Sequence, residues 1–176
     1  MNSPPVPPAQ LVARLRGARR IVVLSGAGMS AESGIPTFRD KGTGLWARFD
    51  PQELATPEAF RRDPETVWAW YEWRRHRVAR ALPHAGHMAL TALAARPQVE
   101  SLTIVTQNVD DLHERAGADA VLHLHGSLFA PRCFDCGRAC SGLAGSQKDE
   151  PEGRSTRLTP PRCATCNGPI RPGVVW

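Results

Sequence analysis

Residues 21–39 read IVVLSGAGMSAESGIPTFR, and this stretch decides the fold of the 176-residue chain. The β-branched apolar run Ile21–Leu24 leads into two closely spaced glycines, Gly26 and Gly28, and then into small and polar residues. This order predicts a buried strand, a tight glycine turn and the start of a helix. A turn of this type allows backbone N–H groups to approach a pyrophosphate closely. The two glycines taken alone fit an ordinary strand–helix turn equally well.

Further short apolar runs extend this pattern along the chain. Leu102–Val105 and Val121–Leu124 are predicted strands, and Val174–Trp176 is interpreted as the opening of another strand. Because helical patterns separate these runs, the sequence predicts an α/β fold with a Rossmann-like, doubly wound parallel sheet. We expect this sheet to be incomplete at the C-terminal end of the chain.

The predicted helices lie between the strands. Asp63 followed by Pro64 has the pattern of an N-cap and a first-turn proline, and that helix is expected to continue to about Leu82. A second helix is predicted over residues 85–95, and a short third helix is predicted after Asp110.

The segment 132–171 departs from this alternation of strands and helices. It contains all five cysteines, and residues 141–161 within it are mostly Gly, Ser, Pro and charged residues. It is predicted to be a small zinc-binding module with a long insert. The expected organisation comprises a disordered tail at residues 1–10, a Rossmann-like domain at 11–48, 85–131 and 172–176, a helical segment at 49–84, and the zinc-binding module at 132–171.

Two Cys-x-x-Cys pairs, Cys133 with Cys136 and Cys163 with Cys166, have the spacing of knuckles that bind zinc through four thiolates. The separation between the pairs exceeds the roughly 15–20 residues that are usual in a zinc ribbon, and the insert accounts for the difference. The predicted site binds one structural Zn2+. The fifth cysteine, Cys140, is interpreted as a free thiol.

Composition and charge limit the classes of function. Hydrophobic residues make up 41% of the chain and charged residues 22%, as in globular rather than disordered proteins. No stretch approaches the about 20 apolar residues of a membrane helix, and no signal-peptide pattern is evident, so a cytoplasmic location is expected. The net charge of +5 comes almost wholly from arginine and would suit nucleic acid. The cysteine knuckles lack interleaved aromatic residues apart from Phe134, which argues against that ligand.

Three motifs in a fixed order carry a family resemblance. Residues 26–39 (GAGMSAESGIPTFR), residues 106–110 (TQNVD) and residues 123–127 (HLHGS) resemble motifs of the sirtuin family, and the cysteine knuckles follow them. The resemblance covers nearly the whole chain from about Leu11 onward. It implies an NAD-dependent protein-lysine deacylase that acts on acyl-lysine protein substrates and releases nicotinamide and an acylated ADP-ribose.

The resemblance also implies roles for individual residues. His125 is the expected general base, because imidazole has an unperturbed pKa of about 6.5, close to working pH. Asn108 is the second expected catalytic residue and, with Gln107, suits ribose hydroxyls or an ordered water, while Asp110 is expected to bind the nicotinamide carboxamide. Helix capping is the alternative role for Asn108 and Asp110. The other expected cofactor-binding residues are Gly26, Ala27, Gly28, Ser30, Glu32, Pro36, Thr37, Phe38 and Arg39. The histidines interpreted as structural are His84, His87, His113 and His123.

Tyr71 and Arg74 lie three residues apart on the predicted helix and therefore share a face. In sirtuins that remove succinyl and malonyl groups, a Tyr-x-x-Arg pair on the corresponding helix binds the acyl carboxylate. The resemblance therefore implies a substrate-binding role for this pair, and a guanidinium is well suited to a carboxylate. The alternative is an ordinary arginine-rich surface, since Arg75, Arg77 and Arg80 are neighbours.

The family continues beyond the point that corresponds to Trp176, with strands and loops that close over the adenosine half of NAD. The alternative to an active enzyme is therefore a truncated, catalytically incompetent fragment that binds zinc and NAD. In such a fragment, one side of the sheet is expected to expose apolar side chains. The complete protein is expected to be a monomer.

Overall fold

The computed structural model describes residues 6–36, 50–141 and 157–176. Within these ranges the three predicted strands form one parallel sheet in the order β1 (Arg20–Ser25), β2 (Ser101–Thr106) and β3 (Val121–His123). The register pairs Ile21 with Leu102 and Ser25 with Thr106, so β1 and β2 end together. The prediction of a parallel α/β sheet is confirmed.

In the described residues, helices precede and separate these strands. The three predicted helices, from Pro64, from Ala85 and after Asp110, are all present. In the described ranges, none of the helices is both long enough and apolar enough to cross a membrane. The helices are α1 (Ala9–Gly17), α2 (Gly28–Ala31), α3 (Pro51–Leu54), α4 (Pro57–Arg62), α5 (Pro64–Arg80), α6 (Ala85–Ala94) and α7 (Leu112–Arg115).

The longest of them, α5, begins where the sequence predicts because Asp63 caps its first turn. Asp63 Oδ1 accepts a hydrogen bond from the Thr66 backbone N–H at 3.2 Å, and Oδ2 accepts one from the Thr66 hydroxyl at 2.7 Å. Arg157 also binds Asp63, with its two terminal nitrogens 2.9 and 3.0 Å from the carboxylate oxygens. Burial acts to raise the pKa of Asp63, but the hydrogen bonds from Thr66 and the charge of Arg157 outweigh burial and lower it.

The apolar face of α5 forms the centre of a hydrophobic core. Val67 and Tyr71 of α5 pack there with Phe60 of α4, and Leu128 and Val174 complete the contact from the second sheet. All five side chains are at most 5% exposed. Burial of each large apolar side chain contributes about 1.5–3 kcal/mol, so this contact holds the helical segment against the second sheet.

That second sheet consists of β4 (Gly126–Cys133) and β5 (Ile170–Val174), which pair in the antiparallel sense. The prediction that a strand opens at Val174 is wrong, because Val174 ends β5 and pairs with Gly126. Gly173 allows the two strands to approach, since a Cβ at this position would lie 1.7 Å from the Ala130 carbonyl oxygen. This contact between distant parts of the chain decides that β5 pairs with β4. A local apolar pattern cannot predict such a pairing.

Within the described residues, one face of the parallel sheet exposes apolar side chains. Val22 and Leu24 of β1 are 74% and 69% exposed, and Leu122 of β3 is 58% exposed. Ile104 of β2 is 1% exposed. Successive side chains on a strand point to opposite faces, so the burial is concentrated on one side of the described sheet.

We expect Asp63→Ala to lower the free energy of unfolding by about 1–2 kcal/mol, because α5 loses its cap. Arg157→Ala is the matched control: it removes the exposed ion pairs but keeps the cap, and its cost should stay below about 1 kcal/mol. Urea unfolding followed by circular dichroism measures both values. A carboxylate with a lowered folded pKa stabilises above about pH 4, and this contribution disappears as pH falls through its folded pKa. Equal losses in the two variants would show that Asp63 does not act as a cap.

Candidate functional site

The carboxyl ends of β1 and β2 bring the glycine loop and the TQNVD motif together. Ser25 pairs with Thr106 in the last rung of the ladder, so the two loops leave the sheet side by side. Asn108 joins the loops, because its Nδ2 donates to the Gly26 carbonyl at 3.1 Å and to the Ser30 hydroxyl oxygen at 2.9 Å. The carboxyl edge of a parallel sheet is the usual ligand-binding edge of α/β proteins.

Asp110 completes a buried polar cluster with Ser30 and Asn108. The Ser30 hydroxyl donates to Asp110 Oδ2 at 2.8 Å, and the Leu112 backbone N–H donates to Asp110 Oδ1 at 3.2 Å. Ser30, Asn108 and Asp110 are 2%, 7% and 6% exposed. Asp110 therefore accepts the first N–H group of α7, as the capping alternative expects, and it also orients Ser30. Within the polar cluster, the Ser30 hydroxyl and both hydrogens of the Asn108 amide nitrogen donate to acceptors.

Of the remaining residues predicted from the glycine loop, the structure brings some close to the polar cluster and others not. Ala27 immediately precedes α2 and Gly28 begins it, both beside the polar cluster. Glu32 is exposed, with Oε2 3.9 Å from His84 Nδ1, so the structure does not bring it into the cluster. Pro36 is half-buried. Three predicted residues lie outside the described ranges: Thr37, Phe38 and Arg39.

His125 is exposed and lies between β3 and β4, immediately before Gly126, with its ring next to the TQNVD motif. Its Nδ1 is 3.1 Å from the Gln107 carbonyl oxygen, while the Gln107 backbone N–H donates to the Ser25 carbonyl at 3.0 Å. A carbonyl oxygen only accepts hydrogen bonds, so in the neutral ring Nδ1 carries the proton and Nε2 carries the lone pair. An exposed imidazole with an oriented lone pair has the form that a general base requires.

His123 has a different environment, which fits the structural role interpreted for it. Its Nδ1 is 3.0 Å from the Asn108 carbonyl oxygen, and its Nε2 is 2.6 Å from Glu114 Oε1. Burial acts to lower the pKa of His123, but hydrogen bonds to Glu114 and Asn108 outweigh burial and raise it. Both nitrogens are occupied by acceptors, so neither can take a proton from a substrate.

The four cysteines of the two knuckles come together at one point. Their sulfur atoms all lie within 4.8 Å of one another. The Cys133–Cys166 and Cys136–Cys163 sulfur distances are 3.4 and 3.8 Å. Tetrahedral zinc with Zn–S bonds of about 2.3 Å separates its sulfurs by about 3.8 Å, so this donor set fits the predicted structural zinc. Cys140 is not a member of the group; its thiol donates to the Arg138 carbonyl.

In each knuckle, the backbone fold favours a thiolate at the first cysteine. The Cys136 and Thr165 backbone N–H groups each point at the sulfur of the first cysteine of their knuckle, at 3.5 Å. Backbone N–H groups of Cys166 and Thr165 lower the pKa of the Cys163 thiol to about 6. Gly137 and Asn167 follow the second cysteine of each knuckle with φ of 70° and 59°, the left-handed conformation that glycine and asparagine accept most readily.

Tyr71 and Arg74 lie on one face of α5, as predicted. Tyr71 is 4% exposed, and its hydroxyl oxygen accepts a hydrogen bond from Trp176 Nε1 at 2.9 Å. The Arg74 guanidinium carbon lies 4.8 Å from the Trp70 ring centroid and 5.4 Å from that of Tyr71. Arg74 is half-buried and stacked on aromatic rings, which differs from an ordinary exposed arginine surface.

Sequence reasoning did not assign a role to two polar residues next to the polar cluster, Ser25 and Thr106. Thr106 Oγ1 accepts from the Asn108 backbone N–H at 3.0 Å and from the Ser25 hydroxyl at 2.8 Å. Ser25 Oγ is in turn 3.0 Å from His113 Nε2. Ser25 and Thr106 are the polar residues that directly end two apolar strands, and this position is the signal that points to them.

The chain matches a family model described as the Sir2 family over residues 26–176. It is 57% identical over 166 residues to NAD-dependent protein deacylase 1 of Pseudomonas aeruginosa and 58% identical over 167 residues to the NAD-dependent protein deacylase of Methylococcus capsulatus. These alignments cover 94% and 95% of this chain but 65% and 64% of the relatives. The chain therefore spans less than two thirds of their length.

Solved structures of Sir2 homologues are also similar to this chain. A Sir2 homologue in complex with NAD superposes with a TM-score of 0.77 at 46% identity, covering 95% of this chain and 60% of that one. A mutant Sir2 homologue in complex with ADP ribose superposes with a TM-score of 0.81 at 44% identity, covering 96% and 63% of the two chains. The agreement extends over nearly all of this chain.

We expect Cys133→Ser to release zinc and to lower the unfolding temperature, because a thiolate ligand is lost and metal binding contributes to folding. Cys140→Ser is the matched control, because this thiol lies outside the group of four; it should retain about one equivalent of zinc. Metal analysis of the purified protein measures the zinc content. The zinc assignment would be wrong if the wild type contained less than about half an equivalent, or if both variants lost metal equally.

Proposed function

This chain belongs to the Sir2 family, and from that membership we propose that the full-length protein is an NAD-dependent protein-lysine deacylase. Curated relatives bear the name NAD-dependent protein deacylase, and the solved Sir2 homologues bind NAD and ADP ribose. The observation that carries the proposal is the buried polar cluster beside an exposed, oriented His125. The substrates would be acyl-lysine side chains of proteins.

The glycine loop and the polar cluster are the groups that would hold NAD. Both hydrogens of the Asn108 amide nitrogen are engaged, by Gly26 and Ser30, so the carbonyl oxygen is the atom of this side chain that can receive a ribose hydroxyl. We assign the nicotinamide carboxamide to Asp110, and Gln107 to the ribose side. Thr37, Phe38 and Arg39 belong to the proposed cofactor-binding loop through their motif.

When NAD is bound, it supplies the ribose carbon that receives the acyl oxygen as nicotinamide leaves. The chain's own contribution is to hold the ribose and to remove a proton from one of its hydroxyls. We assign that step to His125 Nε2, because the contact of Nδ1 with the Gln107 carbonyl fixes the lone pair on Nε2. His125 is exposed, so a substrate can reach it.

We expect His125→Ala in the full-length protein to reduce deacylation by about 10²–10⁴-fold, the usual effect of removing a general base. Exchange of labelled nicotinamide should persist, because the base acts after the bond to nicotinamide breaks. His76→Ala, a histidine substitution on α5 outside the site, is the control and should change neither rate by more than about twofold. Deacylation at the wild-type rate in His125→Ala would exclude this residue as the base.

We further propose that Tyr71 and Arg74 select acyl groups that carry a carboxylate. The Tyr71 hydroxyl accepts from Trp176, which leaves its own hydrogen available to donate to an acid. Burial raises the pKa of Tyr71, although the Arg74 charge acts against it, so the hydroxyl remains protonated. Burial lowers the pKa of Arg74, against the charges of Tyr71 and Asp110. A poorly hydrated guanidinium gains from a carboxylate partner, as in succinyl- or malonyl-lysine.

We expect Arg74→Met to reduce kcat/KM for succinyl-lysine peptides about 10- to 150-fold more than for acetyl-lysine peptides, because a charged hydrogen bond of about 1.5–3 kcal/mol is lost only with the former. Arg77→Met is the matched control, being an exposed arginine one turn further along α5 that stacks on Trp73. It should leave the ratio of the two rates unchanged. Equal losses on both peptides in Arg74→Met would assign Arg74 a structural role instead.

The proposed location is the cytoplasm, because a site of four zinc-binding thiolates requires cysteines that stay reduced. The zinc is proposed to be structural: four thiolates complete a tetrahedral shell and leave no position for substrate. A monomeric state for the full-length protein stays a prediction.

A further inference from the structure

Three histidine rings contact one another edge to face, beside Ser25 at the end of β1. The ring centroids of His84 and His87 are 4.3 Å apart, and those of His87 and His113 are 4.9 Å apart. His87 and His113 are 1% and 3% exposed. Neither the zinc site nor the proposed base uses these two rings, and buried polar rings of this kind require an explanation.

Hydrogen bonds on the outer sides of His87 and His113 decide which of their ring nitrogens carry protons. His87 Nδ1 accepts the His84 backbone N–H at 3.3 Å, so a neutral His87 carries its proton on Nε2. The Ser25 hydroxyl donates to Thr106, so the Ser25 oxygen accepts from His113 Nε2 at 3.0 Å. A neutral His113 therefore has its lone pair on Nδ1.

The two inner nitrogens, His87 Nε2 and His113 Nδ1, are buried and have no partner among the described residues. One is a donor and the other is an acceptor, and their rings are adjacent. Burial lowers the pKa of His87 to about 4 and lowers that of His113, which keeps both rings neutral and their roles complementary. A small approach of the rings or one buried water would satisfy both nitrogens.

We propose that His113, Ser25 and Thr106 form a hydrogen-bond relay that positions Asn108 for NAD, with His113 as the positioning residue. The proposal rests on the proposed function, since Asn108 matters to the cofactor only if NAD binds there.

The relay acts on Asn108 through the backbone N–H group of Asn108. Thr106 Oγ1 accepts the Asn108 N–H at 3.0 Å, and Ser25 donates to the same oxygen at 2.8 Å. The Ser25 hydroxyl has one hydrogen, and His113 Nε2–H occupies its oxygen, which directs that hydrogen to Thr106. Without this donor, Ser25 is free to rotate to other acceptors, and the Asn108 backbone loses an oriented partner. His113 thus acts on the cofactor only through other residues.

The test is NAD binding by the full-length protein, measured by calorimetry. We expect His113→Phe, which keeps a planar ring but has no donor, to raise the dissociation constant for NAD about 5- to 20-fold. His113→Gln retains an N–H group near the position of Nε2 and should recover binding to within about threefold of wild type. His76→Gln is the control for the histidine-to-glutamine change and should bind as wild type does.

Two further measurements separate positioning from a loss of core stability. Ser25→Ala should weaken NAD binding as much as His113→Phe, and the double variant should be no weaker than either, because both break one relay. In wild type without NAD, nitrogen-15 NMR should show both His87 and His113 protonated on Nε2. A proton on His113 Nδ1 would overturn the relay even if His113→Phe failed to fold.

The possible failures are distinguishable. Wild-type protein that binds no NAD would contradict the proposed function, and the NMR result would still decide the relay. Wild-type protein that binds NAD, together with equal binding by His113→Phe and Ser25→Ala, would contradict the relay and leave the proposed function standing.

Discussion

Ser25 and Thr106 face each other in the last rung of the parallel β1–β2 ladder, and the site depends on this pairing. Because the two strands end at the same level, the loops that follow leave the sheet side by side. Asn108 can then donate to both Gly26 and Ser30. A shift of one residue in the register would turn every β1 side chain to the opposite face of the sheet, and Ser25 would lose its hydrogen bond to Thr106. Backbone pairing therefore fixes the chemistry at this edge.

The interior of the site is organised by the cost of burying polar groups. Ser30, Asn108 and Asp110 are nearly inaccessible, and each has a partner inside the polar cluster. A cluster whose groups are already paired needs little rearrangement when a ligand binds, which is the usual basis of tight positioning in enzymes. His125 is exposed, in contrast to these three residues, and the general-base role proposed for it requires a ring that a substrate can reach.

The zinc module and the helical segment share one core. Phe134, which lies inside the first cysteine knuckle, packs on Phe60 of α4 with ring centroids 5.0 Å apart. Trp176 packs on the same ring at 5.5 Å and also donates to the Tyr71 hydroxyl. A metal that fixes the knuckle thereby fixes one wall of the core against which Tyr71 is held. The stability of the zinc site and the geometry of the proposed acyl pocket are physically connected through these aromatic side chains.

The sequence by itself determined the parallel strands, the main helices and the zinc ligands, because each depends on residues close together in the chain. Asp63 and Pro64 start α5 through contacts within one turn, and each knuckle is four residues long. Tertiary structure alone decided the pairing of Val174 with Gly126, which requires Gly173 to meet Ala130 across two distant strands. It also decided which residues Ser25, Thr106 and His113 contact. Their hydrogen bonds exist only after strands about 80 residues apart are in register, and no local pattern encodes that alignment.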